Sequence, residues 1–151
     1  MTSAQNDRVL YPDKEMKHST GIQIRFSDYD TFGHINNNSY MAYLDLGKSE
    51  FLHHVMGRHC TPSELSAAIV NVNVDFLSPT VMDEDLDVQT AVVRLGEHSF
   101  TLYQRIVNPL TGIIKVQATS TLAGFDIPTQ SSAPLRSDLR AALTKLIEPN
   151  D

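Results

Sequence analysis

The sequence predicts an α+β domain in which an antiparallel sheet of about five strands wraps around one long helix, with a short helix at the C-terminal end. Three observations carry this prediction. From Asn38 to about Gly57, apolar residues recur at helical spacing. The following runs alternate in polarity or are rich in Val and Thr, and tight turns join most of them. A single wide helical stripe must then be buried against the one sheet available.

Taken in order, residues 1–20 show no clear period and read as an N-terminal arm, expected to be flexible, ahead of a single domain over 21–151. Gly21–Phe26 alternates as a half-buried strand does. The polar loop Ser27–Asn37 follows. In the helix, Tyr40, Leu44, Gly47, Phe51 and Val55 form the stripe, with Met41 and Leu52 widening it. Asp45, Ser49 and His53 lie on a polar side. Asn and Ser residues supply caps at its start, and Gly57 is the stop signal.

Beyond the helix, Ala68, Val70, Val72, Val74 and Phe76 point one way, and Asn71, Asn73 and Asp75 the other. Leu86–Leu95, Ser99–Val107 and Ile113–Phe125 complete the strands, with turns at Gly96-Glu97-His98 and Asn108–Gly112. After Pro134, Leu135, Leu139, Leu143 and Leu146 predict the closing helix. An exposed edge strand in such a sheet favours a dimer.

Composition narrows the function classes. A chain of 151 residues suits one domain with one core. A formal net charge of −6 offers no basic excess to neutralise nucleic-acid phosphates, so broad nucleic-acid binding is not expected. No apolar stretch is long enough for a membrane span, and Met1–His18 lacks the apolar core of a secretory signal. Cys60 is the sole cysteine, which excludes an intrachain disulfide and suits a reducing cytoplasm.

The chemistry is concentrated in Arg25–Tyr40. Two carboxylates stand two residues apart, beside a Gly, a His and three consecutive Asn, and a helix begins immediately afterwards. A helix N-terminus presents unpaired N–H groups and partial positive charge, which polarise a carbonyl and stabilise the oxyanion formed on attack. A carboxylate beside it can serve as nucleophile or as general base towards water. Asp28 reads as a loop-orienting group or a partner of Arg25. His34 reads as a loop-holding residue, and Asn36, Asn37 and Asn38 as caps and turn formers. His53, His54, His59 and Cys60 fit no common zinc spacing, so no metal is expected.

The pattern Asp28-x-Asp30-x-x-Gly33-His34-x-Asn36-Asn37-x-x-Tyr40 resembles the 4-hydroxybenzoyl-CoA thioesterase family of the hotdog superfamily. Asp75-Phe76-Leu77-Ser78-Pro79 and Ser99-Phe100 extend the likeness, which covers roughly Ile22 to Phe125. The resemblance implies that Asp30 is the catalytic carboxylate and that the backbone N–H of Asn37 is the oxyanion donor. It implies too that Gly33 lets the loop bend towards the helix end. His34, Asn36 and Tyr40 would orient the loop or meet substrate, and Phe76, Ser78 and Ser99 would line a partner subunit's pocket.

The implied activity is hydrolysis of an acyl-CoA thioester to free acid and CoA, with coenzyme A as part of the substrate and no separate cofactor. The implied assembly is a dimer, or a dimer of dimers. An acyl carrier protein as the carrier, and a hotdog protein that binds thioesters without turnover, are the alternatives. A dehydratase of the same fold is disfavoured, because it pairs a His with an acid differently. Lys48, Arg58, Arg94 and Lys115 are cations that a CoA tail could meet, and the sequence does not choose among them.

Overall fold

Helix α1 (Asn37–Met56) organises the fold. It is the central element of a computed structural model that describes residues 7–147. Its N-cap is Asn36, whose side chain accepts the N–H of Ser39 at 2.8 Å, and it ends at Gly57. Tyr40, Leu44, Gly47 and Phe51 are buried along one side, as their spacing predicts, and Tyr43 and Lys48 are buried with them.

Strands β1 (His18–Gly21), β2 (Ala67–Phe76), β3 (Asp87–Leu95), β4 (Ser99–Val107) and β5 (Ile114–Asp126) form an antiparallel sheet in the order β1-β3-β4-β5-β2. A two-residue strand β6 (Ser131–Ser132) adds to β5. A short helix α2 (Pro62–Leu65) precedes β2, and α3 (Ser137–Thr144) closes the chain on the side of Leu135, Leu139 and Leu143. The curled sheet around α1 is the hotdog arrangement. No helix among the described residues is long and apolar enough to cross a membrane.

The core has two halves along α1. Tyr40, Tyr43 and Leu44 meet Leu86, Val88, Ile106 and Val116, whereas Phe51 meets Val92, Phe100, Leu102, Leu122 and the leucines of α3. Between them the helix comes closest to the sheet at Gly47. A Cβ there would sit 2.4 Å from Val88 Cγ1. Gln104 fills the same layer, donating from Nε2 to Leu44 C=O and to Thr90 Oγ1, each at 3.1 Å.

Three sequence expectations are corrected. Strand β1 covers His18–Gly21 rather than Gly21–Phe26. The alternation of Ile22 and Ile24 reflects their packing on the core, and only Ile22 keeps a bond to the sheet edge, N–H to Leu86 C=O at 3.0 Å. The chain then leaves the sheet at a 3-10 turn, Phe26–Asp28, because Asp28 Oδ2 captures the Arg25 N–H at 3.0 Å.

In β2 the register slips between Ile69 and Asn71, so Val70 bulges outward at 62% exposure instead of sharing the face of Val72 and Val74. Leu146 is partly exposed, because α3 ends at Thr144 before the leucine stripe does.

The predicted arm divides at the sheet. Residues 1–6 lie outside the described residues, and His18, Ser19 and Thr20 belong to β1. Arg8–Tyr11 crosses the sheet face opposite α1. Gln117 reads its backbone there, donating to Arg8 C=O at 2.8 Å and accepting from Leu10 N–H at 3.1 Å. Tyr11 meets the Tyr103 ring at 4.8 Å, and Val9 is buried against Val107, Ile114 and Leu77. Among the described residues β2, by contrast, pairs with β5 alone, and its other edge presents unpaired backbone beside exposed Ile69 and Val70.

Candidate active site

The loop ahead of α1 is a short hairpin. Tyr29 and Ile35 pair as an antiparallel bridge, and Asp30 N–H donates to His34 C=O at 2.7 Å. The connection Thr31-Phe32-Gly33 is a three-residue turn whose last residue must be left-handed, and Gly33 has φ 76°. Gly33 N–H donates to Asp30 C=O at 3.0 Å. The bend that the family resemblance implied at Gly33 is a left-handed residue closing this turn.

Asp30 caps the turn from inside. Its Oδ1 accepts the N–H of Phe32 at 2.9 Å and of His34 at 3.2 Å. Among the described residues nothing donates to Oδ2. One oxygen is anchored to backbone, on a tip where Asp30, Thr31, Phe32 and Gly33 are all exposed. Such a carboxylate has a fixed direction and an available lone pair, which is what a nucleophile or base requires.

Asp28 has the other task. Its Oδ1 accepts Ser39 Oγ–H at 3.0 Å, and its Oδ2 accepts Tyr43 Oη–H at 2.5 Å and the Arg25 amide. Its carbonyl takes both the backbone N–H and the side-chain Nδ2–H of Asn36, each at 2.9 Å. Burial pushes the Asp28 carboxyl up, but the bonds from Tyr43, Arg25 and Ser39 and the nearby guanidinium together hold it below the usual carboxylate range. Asp28 therefore fastens the hairpin to the first two turns of α1.

The helix end itself remains available. Asn36 satisfies the amides of Ser39 and Tyr40, the latter at 3.3 Å, and no acceptor among the described residues meets the N–H of Asn37. This leaves a donor and the positive end of a 20-residue helix beside the hairpin. Tyr40 connects the two. Its hydroxyl pairs with Thr80 Oγ1 at 2.8 Å, and Thr80 C=O accepts Ile35 N–H at 3.1 Å. Burial raises the Tyr40 phenol, hydrogen bonds at Thr80 oppose this, and the charges of Glu84 and Asp30 add to the rise.

The structure gathers most of the sequence-derived site residues at one end of the molecule. Asp30, Gly33, His34, Asn36, Asn37 and Tyr40 share the hairpin and first helical turn. The Phe76 ring lies 5.9 Å from that of Tyr40. Ser78 lies two residues past the end of β2, its N–H bonded to Lys115 C=O at 3.1 Å. Ser99 is separate. It starts β4, seven residues from Ile106, whose β5 partner Val116 also pairs with Phe76. At roughly 3.3 Å per residue that is about 23 Å away, and its hydroxyl is engaged by Arg94 Nη2 at 2.6 Å. Within one chain Ser99 is not part of this site.

The bonds that Thr80 and Tyr43 make to the loop were not expected from the sequence. Thr80 sits in a Ser-Pro-Thr turn that reads as a strand end, and Tyr43 reads as core; only the tertiary contacts reveal their bonds to the loop. Of the four cations offered for a CoA tail, Lys115 is held by Glu84 at 2.7 Å, Arg58 by Glu64 at 3.0 Å, and Arg94 by Ser99 and Thr101. Among the described residues no cluster of His, Cys, Asp or Glu is arranged to hold a metal ion. The rings of His53 and His59 approach to 4.2 Å, and His53 Nε2 is bonded to Cys60 C=O.

Comparison with known proteins agrees with this architecture. The chain is 25% identical over 130 residues to the long-chain acyl-CoA thioesterase FadM of Escherichia coli (strain K12), covering 85% of this chain and 98% of that one. Among solved structures, a predicted thioesterase from Bacillus stearothermophilus superposes with a TM-score of 0.76 at 25% identity, over 86% of this chain and 96% of its own. A thioesterase from Thermus thermophilus, complexed with coenzyme A and Zn, shares the fold with a TM-score of 0.73 at 20% identity, over 85% and 98% of the two chains. The family model described as the thioesterase-like superfamily matches residues 24–143, which include the whole hairpin, α1 and the sheet from β2 to β5, and the chain belongs to that superfamily.

Proposed function

We propose that this protein is an acyl-CoA thioesterase that works through Asp30 and the N–H of Asn37. The observation that carries the reading is the state of these two groups. Asp30 has one oxygen tied to two backbone amides, and among the described residues there is no donor to the other and no acceptor for the Asn37 amide at the start of α1. The thioester carbonyl oxygen would accept from Asn37 N–H. Asp30 would then either attack the carbonyl carbon or take a proton from water as it adds. In the first case the C–S bond breaks, the thiolate of CoA leaves, and water then hydrolyses the Asp30–acyl anhydride. In the second the water oxygen bonds to the carbonyl carbon, the C–S bond breaks, and the proton taken up by Asp30 passes to the departing thiolate, so that either course ends in free acid and CoA. General-base catalysis contributes ~10²–10⁴-fold, and an oxyanion donor a further ~10²–10³.

Within the superfamily we place the chain nearest the 4-hydroxybenzoyl-CoA type, on its Asp-x-Asp-x-x-Gly-His-x-Asn-Asn loop. The exposed tip of the hairpin and the open edge of β2 support a dimer. Pairing of two β2 edges would run antiparallel and bring the partner's sheet alongside the hairpin end, where Phe76 and Ser78 lie. We place the reaction in the cytoplasm, in keeping with one buried free thiol, Cys60.

The test is release of free thiol from short, medium, long and aromatic acyl-CoAs and from acyl carrier protein esters, with the native chain and Asp30→Asn. Release by the native chain and a fall of at least ~10² in the variant are expected. Equal rates in both would remove Asp30 from the reaction. Binding of the esters with no thiol released would make the protein a thioester binder.

A further inference from the structure

A second polar feature of α1 is unused by this reading. Along β2's first half, the sheet and the helix form a half-open cavity of about 460 Å³ whose walls are largely apolar, with Leu52, Leu65, Ala67, Ile69 and Leu122, and carry Asp45 and Ser49 on the helix side. Leu122 belongs to β5, so the cavity reaches behind the edge strand into the interior. Lys48 lies in its wall and is only 4% exposed. Its ammonium has one polar contact among the described residues, Asp45 Oδ1 at 3.5 Å, and the Asp45 side chain is 70% exposed.

Lys115 shows what a satisfied buried ammonium looks like in the same protein. Equally buried at 4%, it meets Glu84 at 2.7 Å and Pro79 C=O at 3.0 Å. A buried charge without such partners is costly, because water is removed and little replaces it. For Lys48, burial pushes the amine down and Asp45 offsets this only in part. An apolar side chain of the same length would pack this wall without that cost. The missing component is an anionic oxygen that arrives with an apolar body.

Resting on the thioesterase reading, we infer that Lys48 is a specificity residue. The acyl group carries a distal carboxylate, its hydrocarbon runs along α1 from Asn37 towards the cavity, and its far oxygen accepts from Lys48 Nζ at the cavity wall. The favoured substrates are the mono-CoA esters of dicarboxylic acids rather than plain fatty acyl-CoAs. A second copy of the chain is the weaker occupant, since a neighbour docked along β2 would meet the strand edge and not the interior wall at Leu122. Lys48 stands eleven residues beyond Asn37 on α1, about 16 Å at 1.5 Å per residue, so medium and long chains are the ones to compare.

The experiment measures kcat/KM for dicarboxylic mono-CoA esters of eight to twelve carbons against fatty acyl-CoAs of equal length. The native chain should prefer the diacid esters. Lys48→Met should lower that preference by roughly ten- to hundredfold, as expected for loss of a charge-assisted bond, and Lys48→Arg should retain most of it. No preference in the native chain, or a preference unchanged in Lys48→Met, overturns the inference. An unchanged preference with weakened self-association assigns the ammonium to a subunit contact instead, which also overturns it. If the native chain hydrolyses no ester at all, the thioesterase reading fails, and calorimetry with dodecanedioate and laurate then decides on Lys48 alone. Diacid binding lost in Lys48→Met keeps the site; equal binding of both acids, or of neither, ends it.

Discussion

Tyr43 donates its phenolic hydrogen to Asp28 Oδ2 at 2.5 Å, tying the second turn of α1 to the 3-10 turn that launches the hairpin. Burial first, and then the bond to and charge of Asp28, raise the Tyr43 phenol well above its ordinary value. The two shifts describe one bond, in which a neutral donor faces an ionised acceptor. Tyr43→Phe should therefore cost about 1–3 kcal/mol at neutral pH by denaturant unfolding, because it leaves a partly buried carboxylate short of a donor. Asp28's folded value is depressed, so its contribution is full above the unfolded carboxylate value near ~3.9. It is lost as pH falls through the lower folded value. The gap in stability between native chain and Tyr43→Phe should thus shrink below about pH 4, and a gap that widens with acid would contradict the assignment.

Gly47 tests packing against propensity. In an exposed helix interior Gly→Ala gains about 1 kcal/mol. Here the added methyl would lie 2.4 Å from Val88 Cγ1 and 3.0 Å from Gln104 Nε2. Overpacking of this kind costs roughly 1–3 kcal/mol, so Gly47→Ala should lower the melting temperature, and Gly47→Ala combined with Val88→Ala should recover part of the loss.

Glu84 and Lys115 should respond unequally to removal. Burial raises Glu84, but the bonds from Lys115, Val81 N–H and Asn108 outweigh it and hold the carboxyl low. Glu84→Gln leaves the buried Lys115 ammonium without its counter-charge and should cost about 3 kcal/mol. Lys115→Met leaves Glu84, at 20% side-chain exposure, in partial contact with water, and should cost less. Chemical denaturation of both variants gives the comparison directly.

Gly33 isolates backbone geometry from side-chain contact. A Cβ at this position would touch nothing within 4 Å, yet φ is 76°. Gly33→Ala should thus cost only the left-handed penalty, about 1–2 kcal/mol. It should reduce thiol release beyond what that stability loss explains, through misdirection of Asp30. Stability can be read from thermal melting and activity from initial rates at a temperature where both proteins are folded.

How much of this was legible beforehand follows the range of each interaction. The helix, expected from Asn38 and found over Asn37–Met56, its capping by the Asn run and its Gly57 stop are local events, set by side chains within a few residues of one another. The strands β2 to β5 are legible for the same reason. Strand β1 is not, because Ile22 and Ile24 have the alternation of a strand but owe their burial to the core rather than to a partner strand.

Sequence alone determined the order of elements and brought Asp30, Gly33, Asn36 and Asn37 into one loop, since a three-residue turn and a helix cap need only neighbours. Tertiary structure decided the rest. It showed that Thr80 and Tyr43 brace the hairpin, that Ser99 lies at the far end of the sheet, that Val70 bulges out of its strand, and that Lys48 is buried with one distant counter-charge while Lys115 is fully paired. These depend on residues up to tens of positions apart, brought together by burial of the α1 stripe, and no local pattern encodes which polar atoms meet when that apolar surface leaves water.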